Sequence, residues 1–370
     1  YNWVVFFFRC FFDGKHPKED PFGMSWPAGS FEAKMAGEKM CAGNIFGVVW
    51  EATADWEFLA NDWGMPSSKG KESICWQCGA NQLEITDENS IPWNDFSDSA
   101  KWLETCGDCD MIPSDHHIWG IPGLSRKMIS GDWMHTVCLG IAGRICASIL
   151  YQLWVGFTGN HHEKLEKMWS KLVDAYEACG LPKPNCFKIT TFYQGPSEYC
   201  TLKGMKAYEC RNMVKVLWYV LDEKQTKRPL GPREVMERQR FHCITALKDM
   251  YDLLLSNGMQ FTEEQAYHFW QKGKNFTKHY TVCNKFARDA GYLPIYHFTP
   301  KFHLFMHICM QAKWLSPRAS WCYEWEAFAK TIVRAARACT AATNVNAVPT
   351  KVMENYCLSL SLDLFCQGKF

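Results

Sequence analysis

Residues 45–59 read IFGVVWEATADWEFL. The run Ile45–Thr53 is apolar, aromatic and β-branched, with the length of a buried strand. Asp55 follows at once, and Trp56 opens a new segment. An acid at the C-terminal edge of a buried strand has two uses. It caps the helix that follows, or it offers a carboxylate to a metal or a substrate.

Working outward, Trp3–Phe12 has the composition of a second buried strand. The intervening HPKEDPFGMSWPAGS (16–30) is turn chemistry. Residues 65–125 are irregular and rich in Gly, Pro, Asn, Asp and Cys, which in a loop of that length points to function or to a cross-link. Beyond it, apolar residues recur at helical spacing over 132–154, 162–179, 205–222, 232–256 and 262–289. Helices are also expected over 302–313, 321–339 and 350–365. Gly-Pro and Lys-Pro pairs separate several of them. The expected fold is therefore α+β and helix-rich, with a small sheet near the N-terminus. Its segments are 1–64, a Cys-rich stretch 65–131, a helical body 132–300 and a helical C-terminal part 301–370.

Of the 370 residues, 47% are hydrophobic and 21% charged, the composition of a folded globular chain. The longest apolar runs, such as 145–157, fall short of a membrane span, so no membrane partner is expected. A net charge of +1 gives no global pull on nucleic acid, and any polyanion must meet a local patch. Nineteen cysteines, odd in number and irregularly spaced, read as buried thiols in a reducing compartment. The chain opens on Tyr1 and reads as part of something longer.

Several motifs can carry chemistry. Cys75 and Cys78 in CWQC have the spacing that grips one zinc ion, and CGDC (Cys106, Cys109) repeats it in the same loop. In HLFMH, His303 and His307 share one helical face and can reach one metal. Either the two histidines or the second cysteine pair completes a site begun by Cys75 and Cys78. In GDWMH, Asp132 stands where a helix begins and His135 one turn on; a cap with a packed histidine is the plain reading. Basic residues gather over 203–240, among them Lys203, Lys206, Arg211 and Lys215, and Arg334 lies farther on. They form a solvated face or a surface for a nucleic-acid backbone. RASWCYEWE (318–326) adds two acids in an aromatic setting, Glu324 and Glu326.

The order strand-end Asp, Cx2C, Dx2H, paired histidines, Glu resembles the eukaryotic cut-and-paste DDE transposases with a ribonuclease H-like core. It looks most like the CACTA and Kyakuja–Dileera–Zisupton-like groups. The matching stretches are WPAGSFEAKMAG (26–37), GVVWEATADWEFL (47–59), CWQC (75–78), residues 120–150, PKFHLFMH (300–307) and WCYEWEAF (321–328). The resemblance implies a ribonuclease H-like core interrupted by a large helical insertion with a zinc-binding element. It makes Asp55 the second catalytic aspartate and Glu326 the terminal glutamate, with Ala327 where such frames carry another acid. It implies structural Zn²⁺ at Cys75, Cys78, His303 and His307, and catalytic Mg²⁺ for two-metal phosphodiester chemistry. Asp132 and His135 match the Dx2H of the family. Its first aspartate is expected upstream, Asp13 being the nearest substitute. DNA (transposon ends), a homo-oligomer and a nuclear or other intracellular setting follow as expectations. The alternatives are a catalytically dead relic and a zinc-stabilised helical scaffold that binds protein.

Overall fold

The computed structural model describes residues 2–41, 43, 45–107, 116–185, 187–225, 232–292, 295–340, 347–348, 350–356 and 358. The chain divides into two compact units, Tyr1–Ser320 and Trp321–Phe370.

In the first unit, Asn2–Asp13 is an α-helix (α1), not the expected strand. Trp3–Phe12 is apolar at every position but Arg9, and composition alone cannot separate helix from strand in such a run; the helical period shows only when Asn2 and Asp13, on the same face as Arg9, are included. The helix buries Val5 and Cys10 and leaves Phe7, Phe8, Phe11 and Phe12 exposed. Val5 joins Ile118, Ile121 and Leu124 in a small cluster, and Arg9 donates to the Gly120 carbonyl at 3.2 Å. A short helix, Phe31–Met35 (α2), is capped by Ser30.

The expected strand Ile45–Thr53 contracts to Ala52–Ala54 (β1). Residues 45–51 have no regular secondary structure, and Ile45, Phe46, Val48 and Trp50 are exposed. β1 pairs in parallel with Ile129–Gly131 (β2), Ala52 opposite Ile129 and Ala54 opposite Gly131. After β1 comes Trp56–Trp63 (α3), closed by Gly64 in the left-handed region at φ 66°. The long loop that follows includes the short helix Lys101–Glu104 (α4).

β2 runs directly into a π-helix, Met134–Ala142, continuous with Gly143–Gly156 (α5). Together they make a 23-residue rod long and apolar enough to cross a membrane, which the shorter window 145–157 understated. Most of it is buried inside the unit, packed by the helices that follow. These are His161–Ala178 (α6), Ile189–Phe192 (α7), Ala207–Gln225 (α8), Pro232–Ser256 (α9), Glu263–Asp289 (α10) and Lys301–Gln311 (α11). Capping boxes fix two starts: Asn160 with Glu163, and Thr262 with Gln265. The core between α10, α11 and the π-helix is aromatic, with Trp133, Phe269, Phe276, Tyr280, Phe302 and Phe305 in ring contact. The observed class is α+β and helix-rich, with one two-stranded parallel sheet among the described residues.

Two glycines bring α11 close. A Cβ on Gly131 would stand 2.8 Å from Leu304 Cγ, and one on Gly273 would stand 2.7 Å from Cys309 Sγ. Their bare backbones let α11 lie against β2 and α10, which fixes where His303 and His307 point.

The second unit contains Tyr323–Thr340 (α12), and residues 350–356 are also helical. Phe328 meets Tyr356 edge to face at 5.5 Å. Residues 359–365 of the last expected helix lie outside the described residues.

Candidate metal centre and the Asp55 cleft

The CWQC turn is closed by Ile74 N–H donating to the Ala80 carbonyl at 3.1 Å. Both residues between the cysteines reach back to the sheet: Trp76 Nε1 and Gln77 Nε2 donate to the Ile129 carbonyl at 3.0 and 2.9 Å. Cys75 and Cys78 are thereby presented from β2 toward α11, where His303 and His307 stand one turn apart. All four side chains are buried, and one ligand atom from each lies within 4.8 Å of the others.

The distances test the fit. His303 Nε2 and His307 Nε2 are 3.1 Å apart, and Cys78 Sγ stands 3.2 and 3.3 Å from them. A tetrahedral zinc with N and S ligands has edges of about 3.3–3.8 Å, so these three atoms sit at close to the required spacing, with Cys75 within 4.8 Å of them. The surrounding contacts suit a metal too. His303 Nδ1 lies 3.1 Å from the Trp93 carbonyl, a bond that makes Nδ1 the donor and leaves Nε2 free to ligate. Gln77 N–H donates to Cys75 Sγ at 3.3 Å, as suits a thiolate. Trp102 closes the site, its ring 4.7 Å from His303 and 5.2 Å from His307. Burial raises the Cys75 thiol pKa, but the Cys78 hydrogen bond and the two imidazoles outweigh it and hold the group well down. This buried Cys₂His₂ cluster can bind a metal such as zinc.

Of the competing four-cysteine set, Cys106 is half-buried beside Cys78 and donates to the Trp102 carbonyl at 3.4 Å. Cys109 lies outside the described residues. The cysteines described are free thiols, all buried except Cys41, Cys106 and Cys179.

Asp55 leaves the C-terminal end of β1, and Asp132 leaves β2 at the next position in register. Asp55 is the N-cap of α3, accepting from Phe58 N–H at 2.7 Å. Asp132 is buried; it accepts from Met134 N–H at 2.9 Å and His135 N–H at 2.7 Å, and His135 Nδ1 lies 2.5 Å from it. The Dx2H pair is therefore a cap joined to a partly exposed histidine. Asp55 and His135 line an open cleft of about 810 Å³ with Thr201, Arg144 and Lys301. Lys301 Nζ donates to the His135 carbonyl at 2.9 Å, a backbone group within the π-helix. Burial lowers the Lys301 pKa, and Arg144 lowers it further.

Glu326 belongs to the second unit. It lies in the first turn of α12, with its carboxylate 4.0 Å from Lys330 Nζ; Glu324 is exposed. The basic residues scatter over different roles. Lys203 pairs with Glu198 at 3.3 Å, Lys206 and Lys215 are exposed, Arg211 is half-buried, and Arg334 is exposed on α12. Arg240, within the same basic stretch, turns inward to Glu237 and Gln152.

Arg144 and Lys301 are not residues that the sequence singles out for chemistry. The available signal for Arg144 was a lone cation in an apolar helical run, GRICASIL (143–150).

Searches against protein-family models, curated proteins and solved structures return no significant match to this chain.

Proposed function

We propose that the chain belongs to a DDE transposase-like nuclease and strand transferase, with a ribonuclease H-like core and a helical insertion. Asp55 and Glu326 would supply carboxylates to catalytic Mg²⁺, and a zinc ion at Cys75, Cys78, His303 and His307 would be structural. DNA is the proposed partner, in a reducing compartment such as the nucleus. The observation that carries this reading is the position of Asp55. It stands at the C-terminal end of a parallel strand, beside the capped Asp132–His135 pair, on the rim of a cleft that also holds Arg144 and Lys301. Ligand sites of open α/β sheets lie beyond the carboxyl ends of strands. Phosphodiester chemistry needs carboxylates for the metal and cations for the phosphate, and both charges line this cleft.

One observation favours a catalytically silent relic instead: an Asp55 oxygen is already engaged by Phe58 N–H. Capping occupies a single oxygen, so it is compatible with ligation by the other. Titration with Mn²⁺, followed by electron paramagnetic resonance, separates the readings. The nuclease reading expects bound Mn²⁺ that Mg²⁺ displaces and that is lost in both Asp55→Asn and Glu326→Gln, with zinc content unchanged. Mn²⁺ binding that is absent, or indifferent to both substitutions, assigns the protein to the relic or scaffold.

A further inference from the structure

We propose that Arg144 and Lys301 form a binding site for a phosphate group in the cleft beside Asp55, filled by a backbone phosphate of DNA. The identity of the ligand rests on the nuclease reading; the chemistry rests on the two cations.

Arg144 opens α5 immediately after the π-helix and lines the cleft. Its Nη1 is buried without a hydrogen-bond partner. The groups that favour its charge are Tyr280, Tyr199 and Cys200, none of them a carboxylate, while Lys301 and His297 are also near enough to feel it. Among the described residues it forms no ion pair. Arg144 as a whole is partly buried, and a guanidinium with a buried N–H group is ordinarily matched there by a carboxylate or a carbonyl, because an unmatched one is costly. The missing partner here is an anion, and the open side of Arg144 is the cleft.

Lys301 is the second cation. Its ammonium carries three donors, and one goes to the His135 carbonyl. Its stem passes over Gly140, where a Cβ would stand 2.7 Å from Lys301 Cδ. The glycine therefore keeps the route to the cleft open. The nearest acids are Asp132, already matched by His135, and Asp55, whose proposed use is the metal. Arg144 and Lys301 are close enough to repel one another, so an anion between them relieves both. A guanidinium fork and an ammonium suit phosphate oxygens, and Thr201 adds a hydroxyl to the same wall.

The test is fluorescence anisotropy with a labelled DNA duplex, over a range of salt, on the full chain and on Arg144→Gln and Arg144→Lys. Arg144→Gln is expected to weaken binding about tenfold or more, and to flatten the slope of log K against log salt by about one, the loss of one phosphate contact. Arg144→Lys should keep the slope and lose part of the affinity. The melting temperature of free Arg144→Gln should equal or exceed that of the parent, because a partly buried charge without an ion-pair partner is removed. Equal affinity and slope in Arg144→Gln would overturn the inference, as would a large fall in its melting temperature, which marks a structural arginine. A second arm uses inorganic phosphate and pyrophosphate as ligands. If the parent ignores DNA but is stabilised by pyrophosphate in an Arg144-dependent way, the phosphate site stands and the nuclease reading falls. If Mn²⁺ binds at Asp55 while neither DNA nor pyrophosphate depends on Arg144, this inference fails alone.

Discussion

Asp55 caps α3 with one oxygen, and on the proposed reading the other would ligate the metal, so substitutions can pull the two roles apart. Asn is as good a cap as Asp. Asp55→Asn should therefore keep α3 in place and lose Mn²⁺, whereas Asp55→Ala should lose Mn²⁺ and also about 1 kcal/mol of stability. Denaturant melts of the two variants measure the difference; equal stability would remove the capping role. His297 offers a pH handle at the same scale. It stacks on Tyr199 with ring centres 3.6 Å apart, and burial, followed by the charge of Arg144, lowers its pKa to about 4. The unfolded value is about 6.5, so the unfolded chain takes the proton first. The contribution to stability is complete above pH 6.5 and is lost as pH falls toward 4. His297→Gln should flatten the fall in melting temperature over that interval relative to the parent. Arg144→Met should raise the His297 pKa, read by NMR titration of its ring.

Among the elements, those that announce themselves in sequence are the ones with explicit boundaries. The starts of α6 and α10 carry capping boxes, and their helical spacing is sustained for 18 and 27 residues. The Cx2C turn and the i, i+4 histidines were legible because metal spacing is a geometric constraint on sequence. What was not legible lacks any such constraint. Trp3–Phe12 is apolar at every position but Arg9, and its helical period shows only with the flanking Asn2 and Asp13. Ile45–Thr53 has strand composition, but only Ala52–Ala54 finds a partner strand. The π-helix after Asp132 leaves no mark in composition, and the place of Arg144 in a cleft follows from how α5 packs. The contact of β2 with α11 depends on Gly131, and a methyl there overlaps Leu304. Gly131→Ala should cost about 1–3 kcal/mol by overpacking, and it should weaken zinc retention because α11 is displaced. Unfolding melts and zinc dialysis check both halves; an unaltered stability would mean that Leu304 repacks freely.

For the whole molecule, the Cys₂His₂ cluster is a long-range connection between two parts of the first unit. It links the loop after α3 to α11 across 225 residues, from Cys78 to His303. That loop has one four-residue α-helix among its described residues. Because metal binding supplies folding free energy, chelation should lower the melting temperature and speed amide exchange over residues 71–107 before it affects α9 and α10. Uniform exchange after chelation would contradict a local staple. X-ray absorption at the zinc edge of the purified protein tests the ligand set itself. Two sulfur neighbours at about 2.3 Å and two nitrogen neighbours at about 2.0–2.1 Å are the expected shell, with zinc retention lost in His303→Ala. A shell of four sulfurs would transfer the site to the second cysteine pair, and protein without zinc would contradict the centre.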